Sequence, residues 1–139
     1  MGKDLSELAS YFEPLAVRLL DLCANSGIPC RIVDTGRTPI EQEDKTAQGV
    51  SWTEYSKHEP QPPEGKSEAI DIVPNAILEE HKPNWDPTSP LWRRIGIIGE
   101  SLGLEWGGTW THVNGGRGDP SHFQYVHRVE MHPDLSTQV

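Results

Sequence analysis

Residues 69–73, Ala-Ile-Asp-Ile-Val, closed by Pro74, decide the fold. The run is rich in β-branched residues, and its period of two puts Ile70 and Ile72 on one face with Asp71 on the other. Such a strand presses aliphatic groups into a core on one side and offers a carboxylate on the other. His122-Phe123-Gln124-Tyr125-Val126 repeats the pattern, with Phe123 and Tyr125 sharing one face and His122 and Gln124 the opposite one. The sheet therefore has an apolar back for helices and a polar front where a site can be built.

Working outward, Leu5, Leu8, Phe12, Leu15, Leu19, Leu20 and Cys23 recur at spacings of three and four, which predicts an amphipathic helix within Asp4–Ser26, kinked or split at Pro14. Pro29–Thr35 reads as a strand and Pro39–Gly49 as a short polar helix. Val50–Glu68 is a loop broken by Pro60, Pro62, Pro63 and Gly65. Residues 75–88 read as irregular. Ser89-Pro90 starts a helix, an N-cap followed by proline at the first helical position, and Gly103 stops it. LEWGGTW (104–110) and HFQYVHRV (122–129) are expected as two strands flanking a glycine-rich loop, Gly107–Gly118. The order helix, strand, helix, strand, helix, strand, strand, with the last pair a hairpin, predicts an α+β fold: a small, mostly antiparallel sheet with helices packed on one face.

At 139 residues and 15.5 kDa the chain is expected to form one domain spanning 1–139, long enough to bury a core. Twelve basic against 21 acidic residues give a net charge of −9, which argues against a nucleic-acid or anionic-membrane surface because the summed field repels phosphates. No window approaches the roughly 18 apolar residues of a membrane span, and MGKDLSELAS has no signal-type apolar core. The expectation is a protein made and soluble in a cytoplasm. Cys23 and Cys30 have neither the number nor the spacing of a disulfide framework or CxxC pair; they read as buried thiols, with a single disulfide the less favoured alternative.

The residues that can carry chemistry lie on the polar front. Catalytic zinc takes three nitrogen or oxygen ligands from the protein and leaves a position for water, whose pKa falls to about 7. His58 in the preceding loop, Asp71 and His122 would make a His-Asp-His set without any thiolate. Each alone reads as an ordinary surface or hydrogen-bonded residue; their joint placement shifts the balance. Asp119 stands three residues before His122 in DPSH, where the Asp-Pro turn can bring its carboxylate back beside the metal as a general base and then acid. A turn-forming Asp that satisfies its own backbone is the equal alternative. His112 is the best substitute ligand, and Trp106 reads as core.

Four fragments in order, SKH (56–58), EAID (68–71), WGGTW (106–110) and DPSHFQ (119–124), resemble the zinc D-alanyl-D-alanine carboxypeptidase and phage L-alanyl-D-glutamate endopeptidase family, with its S-x-H, A-x-D, W-G-G and D-x-x-H-F-Q signature. GRTPIEQ (36–42) is similar to that family's upstream G-x-R-T-x-x-Q. The resemblance covers about residues 27–127 and implies a hedgehog/DD-peptidase-like fold. It implies His58, Asp71 and His122 as zinc ligands, Asp119 as catalytic base and Arg37 as a catalytic residue that binds substrate or holds the oxyanion. Gln42 and Ser56 are implied to shape the substrate groove.

The chain also departs from this pattern. His58 and Asp71 are separated as if six residues were inserted between them; the inserted text is proline-rich and suits an ordered surface excursion. Ser67 stands where the family has glycine, and the Trp110–Asp119 segment is long and glycine-rich. The resemblance implies a zinc peptidase acting on stem peptides of peptidoglycan, as an L-alanyl-D-glutamate endopeptidase of endolysin type. The runner-up is a D,D-carboxypeptidase or dipeptidase. A monomer is expected that has no nucleic-acid or membrane partner and acts on the wall after release from the cytoplasm, although −9 is an unusual charge for work on an anionic wall. The same scaffold also serves as a non-catalytic zinc-bearing binding module in hedgehog-type domains, but a structural site needs no base such as Asp119.

Overall fold

The computed structural model describes residues 2–36 and 57–127. Helix α1 is Glu13–Asn25, strand β1 Cys30–Asp34, strand β2 Ala69–Pro74, helix α2 Asn75–Leu78 and helix α3 Pro90–Ser101. Strand β3 is Glu105–Trp106 and strand β4 His122–Gln124. The sheet runs β1-β2-β4-β3 with every neighbouring pair antiparallel, so the α+β expectation holds.

The apolar faces read from alternation form the core. Ile70, Ile72 and Phe123 are fully buried together with Phe12 and Leu19 from the N-terminal segment and Trp92 and Ile95 of α3. Gly99 of α3 leaves the space that the Phe123 ring occupies, because a Cβ there would stand 2.4 Å from it. Burying a large aliphatic or aromatic side chain is worth about 1.5–3 kcal/mol, so this cluster supplies much of the drive to fold.

Several boundaries differ from expectation. The first helix does not begin at Asp4 but at Glu13, with Pro14 in its opening turn. Proline has no N–H to donate and crowds the preceding turn, so it is accepted only there. Leu5–Glu7 instead make one 3-10 turn capped by Asp4, and Leu8 forms a parallel bridge with Ser67. Within the stretch expected to be irregular, α2 forms directly after Pro74. The final strands are shorter than HFQYVHRV and LEWGGTW suggest: Gly107–Thr109 turns into a 3-10 helix whose first carbonyl accepts from both Trp110 and Asp119 backbone N–H groups. Ser89 does occupy the N-cap of α3, but its side chain makes no capping bond. The helix expected at Pro39–Gly49 lies outside the described residues. Among the described residues, no helix is long and apolar enough to cross a membrane.

The proline-rich insertion is an ordered excursion. Gln61 bridges Lys66, the Gly65 N–H donates to the Gln61 carbonyl, and Glu64 takes the backbone N–H and hydroxyl of Ser10. It is thereby fastened to the start of the helical layer.

Candidate metal centre

Antiparallel pairing sets Asp71 of β2 directly opposite His122 of β4. Opposed residues project to the same face, so the polar front expected from alternation exists, and both side chains share it. His58 enters from the turn that precedes the insertion. Its Nε2 lies 3.3 Å from Asp71 Oδ1, and His122 Nδ1 lies 3.3 Å from the same oxygen. One ligand atom from each residue falls within 4.8 Å of the others, and the two rings stand nearly perpendicular with centroids 5.1 Å apart. Both imidazoles are buried and Asp71 is half-buried. His112 is not in this cluster but packs against Trp110, whose ring also lies 5.0 Å from His122. Trp106 is core, its indole N–H donating to the Pro120 carbonyl at 2.7 Å.

Both rings are held at the nitrogen that faces away from Asp71. His58 Nδ1 is 3.2 Å from the Thr35 carbonyl, and His122 Nε2 is 2.8 Å from Gln124 Oε1, which in turn is set by a bond from Gln124 Nε2 to Glu105 at 3.1 Å. A carbonyl acceptor demands an N–H, so the neutral form of each ring offers its other nitrogen as a lone-pair donor to a cation: Nε2 in His58, Nδ1 in His122. Two imidazole nitrogens and a carboxylate oxygen converging on one small volume form the donor set of a catalytic zinc site. The residues therefore fit the ion.

The electrostatics agree. Burial alone would push the Asp71 carboxyl up, but the charge of His58 and hydrogen bonds from both imidazoles hold it well below the usual carboxylate range. Burial disfavours charge on His122 as well, yet its bond to Asp71 raises it above an ordinary histidine. The ionised carboxylate of Asp71 is thus placed where it can meet a cation.

Asp119 sits at the turn into β4. Its backbone N–H donates to Gly107 at 2.8 Å, its carbonyl accepts the His122 N–H at 3.2 Å, and the Ser121 hydroxyl reaches its Oδ1 at 3.4 Å. Burial and then the negative charge of Asp71 push its carboxyl up, which brings it nearer to the neutral working range of an acid–base group. Arg37, Gln42 and Ser56 lie outside the described residues.

Thr35 and Gln124 were not singled out from sequence as partners of the imidazoles. Alternation does place Gln124 beside His122, and that was the available signal; for a backbone carbonyl such as that of Thr35 there is none. A second cluster was also missed. Buried Glu68 accepts from the Tyr11 hydroxyl, from Lys57 Nζ at 3.0 Å and from His127 Nε2 at 2.8 Å, beside a cleft of about 520 Å³ lined by Lys57, Gln61, Pro62, Pro63, Glu68 and His127.

Residues 65–125, which include Asp71, Asp119 and His122 but not His58, match the family model described as D-alanyl-D-alanine carboxypeptidase. No curated protein sequence matches the chain. Among solved structures, the L-Ala D-Glu endopeptidase ChiX of Serratia marcescens is similar with a TM-score of 0.56 at 23% identity, over 89% of this chain and 84% of that one. A mutant of the vancomycin-resistance D,D-pentapeptidase VanY from a VanB-type cassette, in complex with Zn(II), gives 0.54 at 18% identity over 86% and 72%. VanYB in complex with D-alanine-D-alanine gives 0.56 at 18% over 94% and 77%. Residues 65–125 thus match the D-alanyl-D-alanine carboxypeptidase family model, and the chain shares the fold of these solved peptidases.

Proposed function

We propose that this chain is a zinc-dependent peptidase of bacterial cell-wall stem peptides, an endopeptidase that cuts between L-Ala and D-Glu. The observation that carries the reading is the convergence of His58 Nε2, Asp71 Oδ1 and His122 Nδ1 beside a half-buried carboxyl, Asp119, with a raised proton affinity. When bound there, zinc supplies Lewis acidity, polarising the scissile carbonyl and making water a better nucleophile near neutral pH.

The chain's own groups do the rest. Asp119 takes the proton of the attacking water and returns it to the leaving amine, the sequence of base then acid that one carboxyl can perform when its affinity is tuned upward. Asp71, held ionised between two imidazoles, keeps negative charge beside Asp119 and so sustains that tuning. Thr35 and Gln124 keep both imidazoles in the donor orientation. Arg37 is assigned to the oxyanion and Gln42 and Ser56 to the groove, on the sequence motifs alone. A monomer acting on the wall after release completes the reading.

The overlap in chain compass with ChiX supports the endopeptidase architecture, whereas the description of the matching family model favours the second reading, a D,D-carboxypeptidase. Digestion of purified peptidoglycan with the zinc-loaded protein, followed by mass spectrometry, separates them. New D-Glu amino termini are expected; released D-Ala would establish the carboxypeptidase instead. An unchanged wall would refute hydrolysis and leave a zinc-bearing binding module.

A further inference from the structure

Ser67 stands where the resembling family has glycine, and its side chain is buried at a junction of the site's supports. Its hydroxyl lies 2.5 Å from the Thr35 carbonyl, 3.0 Å from the Ala69 carbonyl and 3.2 Å from the Lys57 carbonyl, and it accepts the Ala69 N–H at 3.2 Å. A hydroxyl has one hydrogen to donate. The shortest contact assigns it to Thr35, whose carbonyl is also the group that faces His58 Nδ1 at 3.2 Å. Lys57 immediately precedes His58, and Ala69 lies two residues before Asp71 on β2. One hydroxyl therefore touches the backbone leading into two of the three ligands and the carbonyl that orients one of them.

We propose that Ser67 is a positioning residue for His58: its hydroxyl aims the Thr35 carbonyl so that the imidazole presents Nε2 to the metal. This rests on the metal reading above. The backbone of Ser67 has other anchors, since its N–H donates to Glu7 at 3.1 Å and its carbonyl accepts from Ala9 at 2.8 Å. Thr35 is likewise tied to the N-terminal segment, its N–H donating to Gly2 at 2.8 Å and its hydroxyl bonding Glu7. Loss of the hydroxyl thus leaves β2 and the end of β1 in place but frees one carbonyl to rotate. What weakens is the aim of a ligand, and partners outside the ligand shell typically matter about 10–100-fold in metal affinity.

The test measures zinc dissociation constants by chelator competition in wild type, Ser67→Ala and Ser67→Gly, with the visible spectrum of the cobalt(II)-loaded proteins and the melting of the metal-free proteins alongside. The expected result is zinc binding weakened roughly tenfold or more in both variants, a changed cobalt spectrum and a metal-free fold that still melts cooperatively. A merely structural serine lowers the melting temperature and leaves the dissociation constant and cobalt spectrum of the folded protein as in wild type; that outcome overturns the assignment. Should the alanine variant not fold, the glycine variant removes the same hydroxyl and decides in its place. Wild type that binds no zinc overturns the metal reading together with this inference. Wild type that binds, with variants that bind as tightly, overturns the role of Ser67 alone.

Discussion

Replacing Gly107 by alanine tests how the turn that carries Asp119 and His122 is held. A Cβ on Gly107 would stand 2.5 Å from the Asp119 carbonyl oxygen and 3.2 Å from the Cβ atoms of both Asp119 and His122. Ordinary contact begins at 3.4 Å, so the carbonyl must give way by about 0.9 Å, and it is backbone rather than the end of a flexible side chain. The same turn is tied to Gly107 by the Asp119 N–H at 2.8 Å, so it cannot move without loosening that bond. Overpacking of this kind costs about 1–3 kcal/mol, and a displacement near 1 Å at reacting groups costs about 100-fold in rate. Gly107→Ala is therefore expected to melt several degrees lower, to bind zinc more weakly through His122, and to release stem-peptide fragments about two orders of magnitude more slowly. Gly115→Ala is the control: its φ of +69° penalises alanine by roughly 1–2 kcal/mol, but nothing lies within 4 Å of the added carbon. It should lose stability and keep activity. Wild-type rates in Gly107→Ala, or an equal loss of rate in both variants, would refute the argument.

Asp119→Ala should bind zinc as wild type does yet lose at least about 100-fold in hydrolysis, whereas His122→Ala should lose both; surviving hydrolysis in the first removes Asp119 from its role as base. Glu68→Gln should destabilise the fold by about 1–3 kcal/mol near neutral pH, read by denaturant unfolding, because the partly buried Lys57, Tyr11 and His127 lose their charged acceptor. Burial pushes the Glu68 carboxyl up, but bonds from Tyr11, Lys57 and His127 outweigh it and leave it below the ordinary 4.5. A carboxyl lowered by folding stabilises above that value and loses its effect as pH falls beneath it, so the gap between wild type and variant should be full at neutral pH and shrink below pH 4.5. A gap unchanged by acid would show that charge is not the cause. Phe123→Ala should cost about 3–5 kcal/mol in the same assay, since Phe123 is fully buried between the sheet and α3; a cost under 1 kcal/mol would show that the site collapses on the missing ring.

What could be read from the chain beforehand follows from the range of each interaction. Alternation is local, so the division of Ile70 and Ile72 from Asp71, and of Phe123 from His122, was legible without knowing which strands pair. The register was not: nothing local requires Asp71, and not the residue beside it, to face His122, yet a slip of one residue would turn the carboxylate into the core. Motif order stood in for register here, because a metal demands that its ligands meet. Boundaries failed where one residue overrules a periodicity, as Pro14 does for the first helix and Gly107 for the third strand. The least legible features are those whose partners are far apart in sequence and individually unremarkable. Tyr11 and Glu68 are 57 residues apart, Glu68 and His127 are 59 apart, and Thr35 contributes only a carbonyl. Donors to the metal announce themselves because few residue types can ligate. The groups that aim those donors are backbone atoms and small hydroxyls that any sequence contains, so the outer layer of the site, unlike its ligands, becomes visible only when the strands are in register.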